Sequence, residues 1–581
     1  MRLITNLVAA SSWVVVAAAS GAPLEELWVV DYNGPASEQD SANVLLDAGD
    51  GAVIVVGESA QSGFDTDIFA AKYAADGSLL WFNAWDSPTL GNDYGAAAAL
   101  DASGNLHVAG YYYGGPAGIT IAVLKYDPAG ALLWWRNYWL TSGNASHIAN
   151  AIAVDDTGHV YIAGYSSIAG TNGNTLLLKY DADGDLIWTR HYNGPANSWD
   201  QGRLLALDGA GNAIMAGRTV VSAPSNDDIG IWKYAPNGDL LWFRTFGPAV
   251  STWDAASGIA IGPDDSVHLA GWGRPGGNGT ELDAVILKYD ADGTLEWESW
   301  YAGAAAGEDQ FHAMTVDDAG NTYATGASFV DDYSRQFLTV KVDASGVQQW
   351  VRLFGEPIDA SDEATQLVID DAGNVLVGGS SSHLIGAAAG DGGPPTDEGF
   401  RFVSYAPDGT ERYESFHTLG GGHYLSAVVA LPDGEIVATG GYYTKATQSD
   451  YFVAKWTELV DCNGNGLDDA DDISNGTSED CNGNGVPDEC DIATGFALDC
   501  NHNDIPDSCD IDDGTLTDAD ASGVADECEA IGDLDGDGAV TAADLGILLG
   551  AWGRCDGCPA DLDGDGVIGA ADLAILLSNW G

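Results

Sequence analysis

Between residues 24 and 460 hydrophobic and polar positions alternate in short runs, broken by Asp-Gly and Asn-Gly turns. That is the pattern of half-buried strands joined as hairpins. The pattern also repeats. A run ending in glycine recurs as VIVVG, LHVAG, VYIAG, AIMAG, VHLAG, TYATG, VLVGG and IVATG, placing Gly57, Gly110, Gly164, Gly217, Gly271, Gly326, Gly379 and Gly440 in register. Each is preceded by an alternating run and a turn such as DDTGH, then followed by strands of the types LLLKYDADG and LIWTRHY. Four short strands in a unit of about 54 residues is the arithmetic of a β-propeller blade. The last strand type begins at Trp28, Trp81, Trp134, Trp188, Trp242, Trp297, Trp350 and, degenerately, Tyr413. The first of these precedes any complete unit, and the final unit stops after FVAKW. The N-terminal strand is therefore expected to complete the final blade and close an eight-bladed ring, leaving no open edge. Seven blades, with one degenerate unit excluded, is the alternative.

These units resemble secreted bacterial propeller repeats of the SBBP type, and YDADGDLIW is similar to the tryptophan-docking repeat of quinoprotein propellers. The resemblance covers about three-quarters of the chain and implies a fold, since one propeller scaffold carries many activities. No quinone-binding residues are identifiable. Two repeat positions carry charge. Of eight lysines, seven occupy one slot: Lys72, Lys125, Lys179, Lys233, Lys288, Lys341 and Lys455, with Ser404 in the eighth unit. Asp40, Asp93, Asp200, Asp254, Asp309 and Asp362 precede the first strand of their units, with His147 and His423 in the two remaining slots. Such aspartates either hold a cation or sugar or cap backbone N–H groups; a motif present in every unit favours capping. Pairing between the lysine and aspartate series, within or between blades, is also expected.

Composition adds a compartment and excludes partners. Asp and Glu number 87 against 20 Lys and Arg, a net charge of −67. Such a surface repels phosphate backbones and anionic lipid, so no nucleic-acid partner is expected. Met1-Arg2, the apolar stretch Leu3 to Ala19 and the small residues after it read as a signal peptide over 1–22, cut between Ala19 and Ala22. An uncleaved anchor helix is the other reading. Signal removal would leave no membrane span and a secreted or cell-surface protein.

All eight cysteines follow residue 460. In an exported chain, clustered cysteines read as disulfides. Residues 461–528 form an irregular repeat of nineteen residues, starting at Asp461, Asp480, Asp499 and Asp518. Oxygen side chains at positions one, three and five, a tight turn and Asp at nine describe a loop for a hard cation, Ca²⁺. The second copy supplies Asp480, Asn482, Asn484, the Val486 carbonyl and Asp488, with Asp491 completing the shell. The first supplies Asp461, Asn463 and Asn465; the third, Asp499, Asn501, Asn503 and Asp507. A flexible acidic linker is the alternative. Cysteines stand at position two (Cys462, Cys481, Cys500) and position eleven (Cys490, Cys509, Cys528). Pairing position two with position eleven of the next copy gives Cys462–Cys490, Cys481–Cys509 and Cys500–Cys528. Pairing within copies, Cys481–Cys490 and Cys500–Cys509, is the rival. The segment resembles calcium-wrapped thrombospondin type 3 repeats, with different spacing and more Asn.

Residues 533–581 duplicate a second acidic loop, DLDGDG, at an offset of 28 residues. Asp533, Asp535, Asp537, the Ala539 carbonyl, Thr541 and Asp544 occupy EF-hand positions one, three, five, seven, nine and twelve. The second set is Asp561, Asp563, Asp565, the Val567 carbonyl, water at Gly569, and Asp572. Exit segments place Leu545, Leu548, Leu549, Trp552 and Leu573, Leu576, Leu577, Trp580 at helical spacing, two stripes expected to pack together. Cys555 and Cys558 suggest a small disulfide, since two cysteines cannot complete a zinc site. The duplicated loop resembles the type I dockerin module, which implies a small α-helical, EF-hand-like domain and a cohesin-like or cell-surface protein partner. Ala542-Ala543 and Ala570-Ala571 depart from the polar pairs that dockerins commonly use for that contact.

No H-E-x-x-H, G-x-S-x-G or P-loop occurs, and the ten histidines lack metal spacing. The reading is a calcium-binding, non-catalytic attachment protein: a propeller with an unassigned ligand, a calcium-repeat segment and a docking module. The alternative is a carbohydrate-active enzyme, a glycoside hydrolase or lyase, acting on polysaccharide; a close pair of cleft carboxylates on the propeller would favour it.

Overall fold

The computed structural model describes residues 24–580, apart from 36–39, 63–64, 90, 116–117, 141–144, 168–171, 223–225, 248–252, 276–281, 304–306, 331–333, 356–359, 371, 385–395, 419–421, 433, 444–449, 460, 464–467, 495, 500–502, 504, 519–524, 526–531, 533, 535–539, 555–557 and 564–565. The predicted signal segment 1–22 lies outside these residues. The contacts divide the chain at Glu458 into two units. No helix among the described residues is long and apolar enough to cross a membrane.

Residues 24–458 are all-β and propeller-like, and each sequence repeat writes an antiparallel meander of four strands. The first is Asp40–Asp47, Val53–Ser62, Asp65–Tyr73 and Leu79–Trp85, in that spatial order. The same order recurs over 93–138, 145–192, 201–246, 255–301, 309–354 and 360–417. The last is composite. Gly422–Ala430, Ile436–Tyr443 and Asp450–Glu458 take Leu24–Tyr32 as their fourth strand, with Trp28 opposite Lys455.

Burial explains which strands read as continuous apolar runs. Asn174–Tyr180, a third strand, is buried along its whole length because meanders cover both its faces. The fourth strand lies at the edge and exposes its leading pair, as Leu186 and Ile187 do. Neighbouring meanders interdigitate: Ile54, Val56 and Ile68 pack on Leu106, Val108 and Leu124. The last packs on the first in the same manner, through Val437, Tyr451 and Val453 against Val53, Val55 and Phe69.

The repeated glycine has a steric cause. A Cβ at Gly57 would stand 1.8 Å from the Ser41 carbonyl oxygen, and one at Gly164 or Gly217 would stand 2.0 Å from that of Ile148 or Gln201. Each faces the first strand just before a register shift in the pairing. Only a residue without a side chain lets the strands approach so closely there.

The repeated tryptophan joins one meander to the next. Trp81, Trp134, Trp188, Trp242, Trp297 and Trp350 donate their indole N–H to the carbonyls of Pro128, Ala182, Pro236, Ala291, Ala344 and Pro407, at 3.0–3.2 Å. Trp28 makes the same bond to Ala75, at 2.8 Å, from the last meander to the first. Tyr413 has no such turn to reach, because the final meander's third strand ends at Glu458 and the chain leaves the sheet. Arg412 bonds Glu458 instead, at 2.7 Å.

Candidate metal centres

The lysine and aspartate series do not pair with each other, contrary to expectation. Asp40 stands opposite Ser59, at one end of its sheet, whereas Lys72 stands opposite Ile54, beside the turn at the other end. The lysines meet acids of that turn instead: Lys125 meets Asp101 at 3.2 Å, Lys233 meets Asp208 at 2.8 Å, Lys288 meets Asp264 at 3.2 Å, and Lys455 meets Glu435. Several also reach the carbonyl that the tryptophan uses, as Lys233 does at Ala291, at 3.0 Å. The aspartates are buried caps. Asp40 accepts from Gly34 N–H, Asp200 from Gly194 N–H and Thr219 Oγ1, Asp309 from Gly303 N–H.

His147 performs the same task as a neutral ring. Leu140 N–H donates to its Nε2 at 3.1 Å, so the proton lies on Nδ1 and is donated to Ser166 Oγ at 2.8 Å. Burial lowers its pKa to about 4, which keeps it in that form at neutral pH. The side chain of His423 lies outside the described residues.

One place on this unit departs from the repeat with aromatic character. Glu58 is buried, accepts from Asn43 Nδ2 at 2.7 Å, and burial pushes its pKa up to about 7. Glu58 also acts electrostatically on Tyr111, which stacks on Tyr94 at 5.1 Å and meets Tyr113 edge-on. Tyr113 and, beside Tyr165, Trp199 are exposed.

In the C-terminal unit the first three nineteen-residue copies each contain a short helix that the irregular reading did not anticipate: α1 (Asp469–Asn475), α2 (Asp488–Thr494) and α3 (Asp507–Asp513). Asp468 caps α1 by accepting from Ala470 N–H, and Gly476 and Gly514 end α1 and α3 in the left-handed region. The position-nine acids turn back to the loop: Asp469 accepts from Cys462 N–H at 3.0 Å and Asp488 from Cys481 N–H at 3.1 Å. Burial pushes the Asp488 carboxyl up, and the nearby Asp480, Glu479 and Asp491 add to it.

The loop amides converge on position twelve. Asn482 and Asn484 donate to Asp491 at 2.7 and 2.8 Å, Asn503 to Asp510 at 2.9 Å, and Asn463 to Asp472 at 3.1 Å. Asp472, Asp491 and Asp510 are all buried. Sequence reasoning named only Asp491; the nineteen-residue period carries Asp472 and Asp510 into the same slot. At the loop's start Asp480 accepts from Asn484 and Gly485 N–H, and Asn484 Oδ1 accepts from Val486 N–H. The disulfides are Cys462–Cys490 and Cys481–Cys509, each joining position two to position eleven of the next copy. That excludes the within-copy bond Cys481–Cys490. Cys558 is also disulfide-bonded. Asn465, Asn501, Cys500, Cys528 and Cys555 lie outside the described residues.

The duplicated segment forms α4 (Ala542–Gly550) and α5 (Ala570–Ser578). Thr541 and Asp544 make a reciprocal cap on α4, and Asp572 accepts from Gly569 N–H at 2.7 Å on α5. The other oxygen of each acid crosses its loop: Asp544 accepts from Leu534 N–H and Asp572 from Leu562 N–H, both at 2.8 Å. Backbone donors, Gly569 foremost, hold the Asp572 carboxyl below the ordinary carboxylate range. Asp561, Asp563 and Asp572 each place a carboxylate oxygen within 4.8 Å of the others. Gly566 turns the loop at φ 82° and its N–H reaches Asp561. Val567 lies on a two-residue ladder, Val567–Ile568 against Gly553–Arg554. Asp533, Asp535, Asp537, Ala539 and Asp565 lie outside the described residues.

Only half of each predicted stripe is packed. Leu548 and Leu576 are buried with Val540, Ala560 and Ile568, and Leu545 and Leu573 lie against them. Leu549, Trp552, Leu577 and Trp580 are exposed, since two helices of nine residues enclose only one narrow seam.

No family model matches the chain, and no curated protein matches it. Among solved structures it is similar to the WD40 domain of SCAP from fission yeast, at TM-score 0.42 and 9% identity over 75% of this chain and 98% of that one. A protein of unknown function from Dyadobacter fermentans is similar at TM-score 0.35 and 10% identity, over 75% and 99%. The β-propeller domain of the Trilobed protease from Pyrococcus furiosus is similar at TM-score 0.34 and 9% identity, over 62% and 95%.

Proposed function

We propose that the chain is an exported, calcium-binding, non-catalytic attachment protein, combining an eight-bladed propeller with Ca²⁺-ordered repeats and a dockerin-like paired-loop module. The observation that carries this reading is the acid set Asp561, Asp563 and Asp572. It is all oxygen, closely gathered, and anchored by a buried carboxylate held on backbone N–H groups, as a hard cation requires. Asp544 repeats the anchor in the first loop, and Asp491 gathers two amides in the second nineteen-residue copy. With Ca²⁺ bound, those amides would turn their oxygens inward and the ion would supply the attraction that clustered carboxylates lack. The blade count is supported by the eight four-stranded meanders and by the Trp28 bond that joins the last of them to the first. Export is supported by the basic-apolar N-terminus together with disulfides in the tail.

Docking would use the exposed Leu549, Trp552, Leu577 and Trp580, duplicated apolar residues suited to a protein partner. A polysaccharide ligand for the propeller draws support from the tyrosines beside Glu58 and from exposed Trp199, since aromatic faces stack on sugar rings. Calorimetry of the full chain in Ca²⁺ and in chelator tests the reading, with glycan-array binding as the companion measurement. Chelation is expected to lower or abolish the tail's transition while leaving the propeller's largest transition in place. An unchanged tail transition in chelator refutes the calcium account.

A further inference from the structure

At the seam between the first two meanders the repeat is broken in a way that gathers acids. Where the repeat is kept, the capping side chain has a backbone N–H a few residues before it and a hydroxyl nineteen residues after it. Asp200 takes Gly194 N–H and Thr219 Oγ1, both at 2.7 Å, Asp362 takes Ser381 Oγ at 2.5 Å, and His147 takes Leu140 N–H and meets Ser166 Oγ. Asp93 keeps the backbone contact, from Ser87 N–H at 2.7 Å. Nineteen residues on, however, stands Tyr112, whose hydroxyl accepts from Asn137 at 3.4 Å. Asp93 Oδ1 is left without a hydrogen-bond partner in a side chain that is 0% exposed. A buried orphan oxygen is costly unless something satisfies it.

Two more carboxylates meet it there. Asp67, from the third strand of the preceding meander, and Asp86, just past its fourth, each bring an oxygen within 4.8 Å of Asp93 and of each other. Asp67 is buried and Asp86 exposed, so the group opens to water on one side. Among the described residues no Lys, Arg or His ion-pairs with these three. The comparable group Asp227, Asp228 and Asp254 differs, since Arg218 meets Asp227 at 2.7 Å. We propose that Asp67, Asp86 and Asp93 form a divalent-cation site that takes Ca²⁺ with carboxylate and water oxygens and ties the first meander to the second. The ion would take up the orphan oxygen and neutralise three like charges that otherwise repel. Burial, and the carboxylates facing one another, hold Asp93 and Asp67 above the ordinary carboxylate range.

Equilibrium dialysis of the full chain against radioactive Ca²⁺ tests this through a difference in stoichiometry. Asp67→Asn and Asp86→Ser are each expected to bind one ion fewer per chain than the wild type. Asp86 is exposed, so Asp86→Ser decides the matter if Asp67→Asn fails to fold, with circular dichroism checking both. Equal stoichiometry in wild type and Asp86→Ser overturns the proposal. Failure of the tail to bind Ca²⁺ would leave this difference measurable, because it would lower wild type and variants alike.

Discussion

Replacing Trp28 by Ala probes the bond that returns the last meander to the first. The indole donates to Ala75 O at 2.8 Å, and its ring lies against Gly77, where a Cβ would stand 2.7 Å away. Truncating a fully buried Trp costs about 3–5 kcal/mol, and a half-buried one about 2 kcal/mol. The lost hydrogen bond adds about 1 kcal/mol. Nothing further is due for an orphaned acceptor, because Lys455 Nζ also faces Ala75 O, at 3.4 Å. The expected loss is therefore about 3 kcal/mol for Trp28→Ala and about 1 kcal/mol for Trp28→Phe, which keeps an aromatic ring. Guanidinium unfolding of the full chain reads this as a lower midpoint, with Trp242→Ala as a reference from within the array. A loss below about 0.5 kcal/mol, the size of a neutral surface change, would refute the argument that the tryptophan bond holds the two ends together.

Glu58 makes stability depend on pH. Its pKa is raised to about 7, so its stabilising contribution is complete at acid pH and is lost as pH rises through about 7. A shift of this size is worth about 3 kcal/mol, and Glu58→Gln should remove the corresponding slope between about pH 4.5 and 7. Parallel melting-temperature profiles for variant and wild type would count against burial as the cause. Replacing both Cys462 and Cys490 by Ala opens a crosslink of sequence separation 28. By loop-closure entropy the tail should lose about 3.5 kcal/mol, seen as a lower tail transition in calorimetry. An unmoved transition would show that the bond adds nothing to the folded tail.

The strand plan was legible in the sequence because a residue type recurs where the same contact, within a unit or to the next one, recurs. Gly217 reports the carbonyl of Gln201 facing it, and Trp188 reports the turn at Pro236. The lysine partners were not legible. Lys233 and Asp208 meet across a sheet, and a period of fixed length cannot say which of two acidic series stands at the same end. In the tail, period and residue type marked Asp491 and the staggered cysteines. They did not mark α1 to α3, whose seven-residue helices rest on caps and disulfides more than on apolar spacing. The exposure of Leu549 and Trp552 was hidden for a related reason. Helical spacing says which residues share a face, but not how much of that face a neighbour covers.

The composite final meander also sets a schedule for folding. The strand beginning at Leu24 is the first described strand to be synthesised, yet Leu24 lies opposite Glu458, among the last residues of the unit. During synthesis or translocation it must wait for almost the whole unit before it can pair, an ordering that slows folding and leaves an edge exposed meanwhile. Nascent chains that stop short of Asp450–Glu458 should therefore stick to one another through this strand. The acidic tail follows the propeller in the chain and would leave the ribosome as closure becomes available.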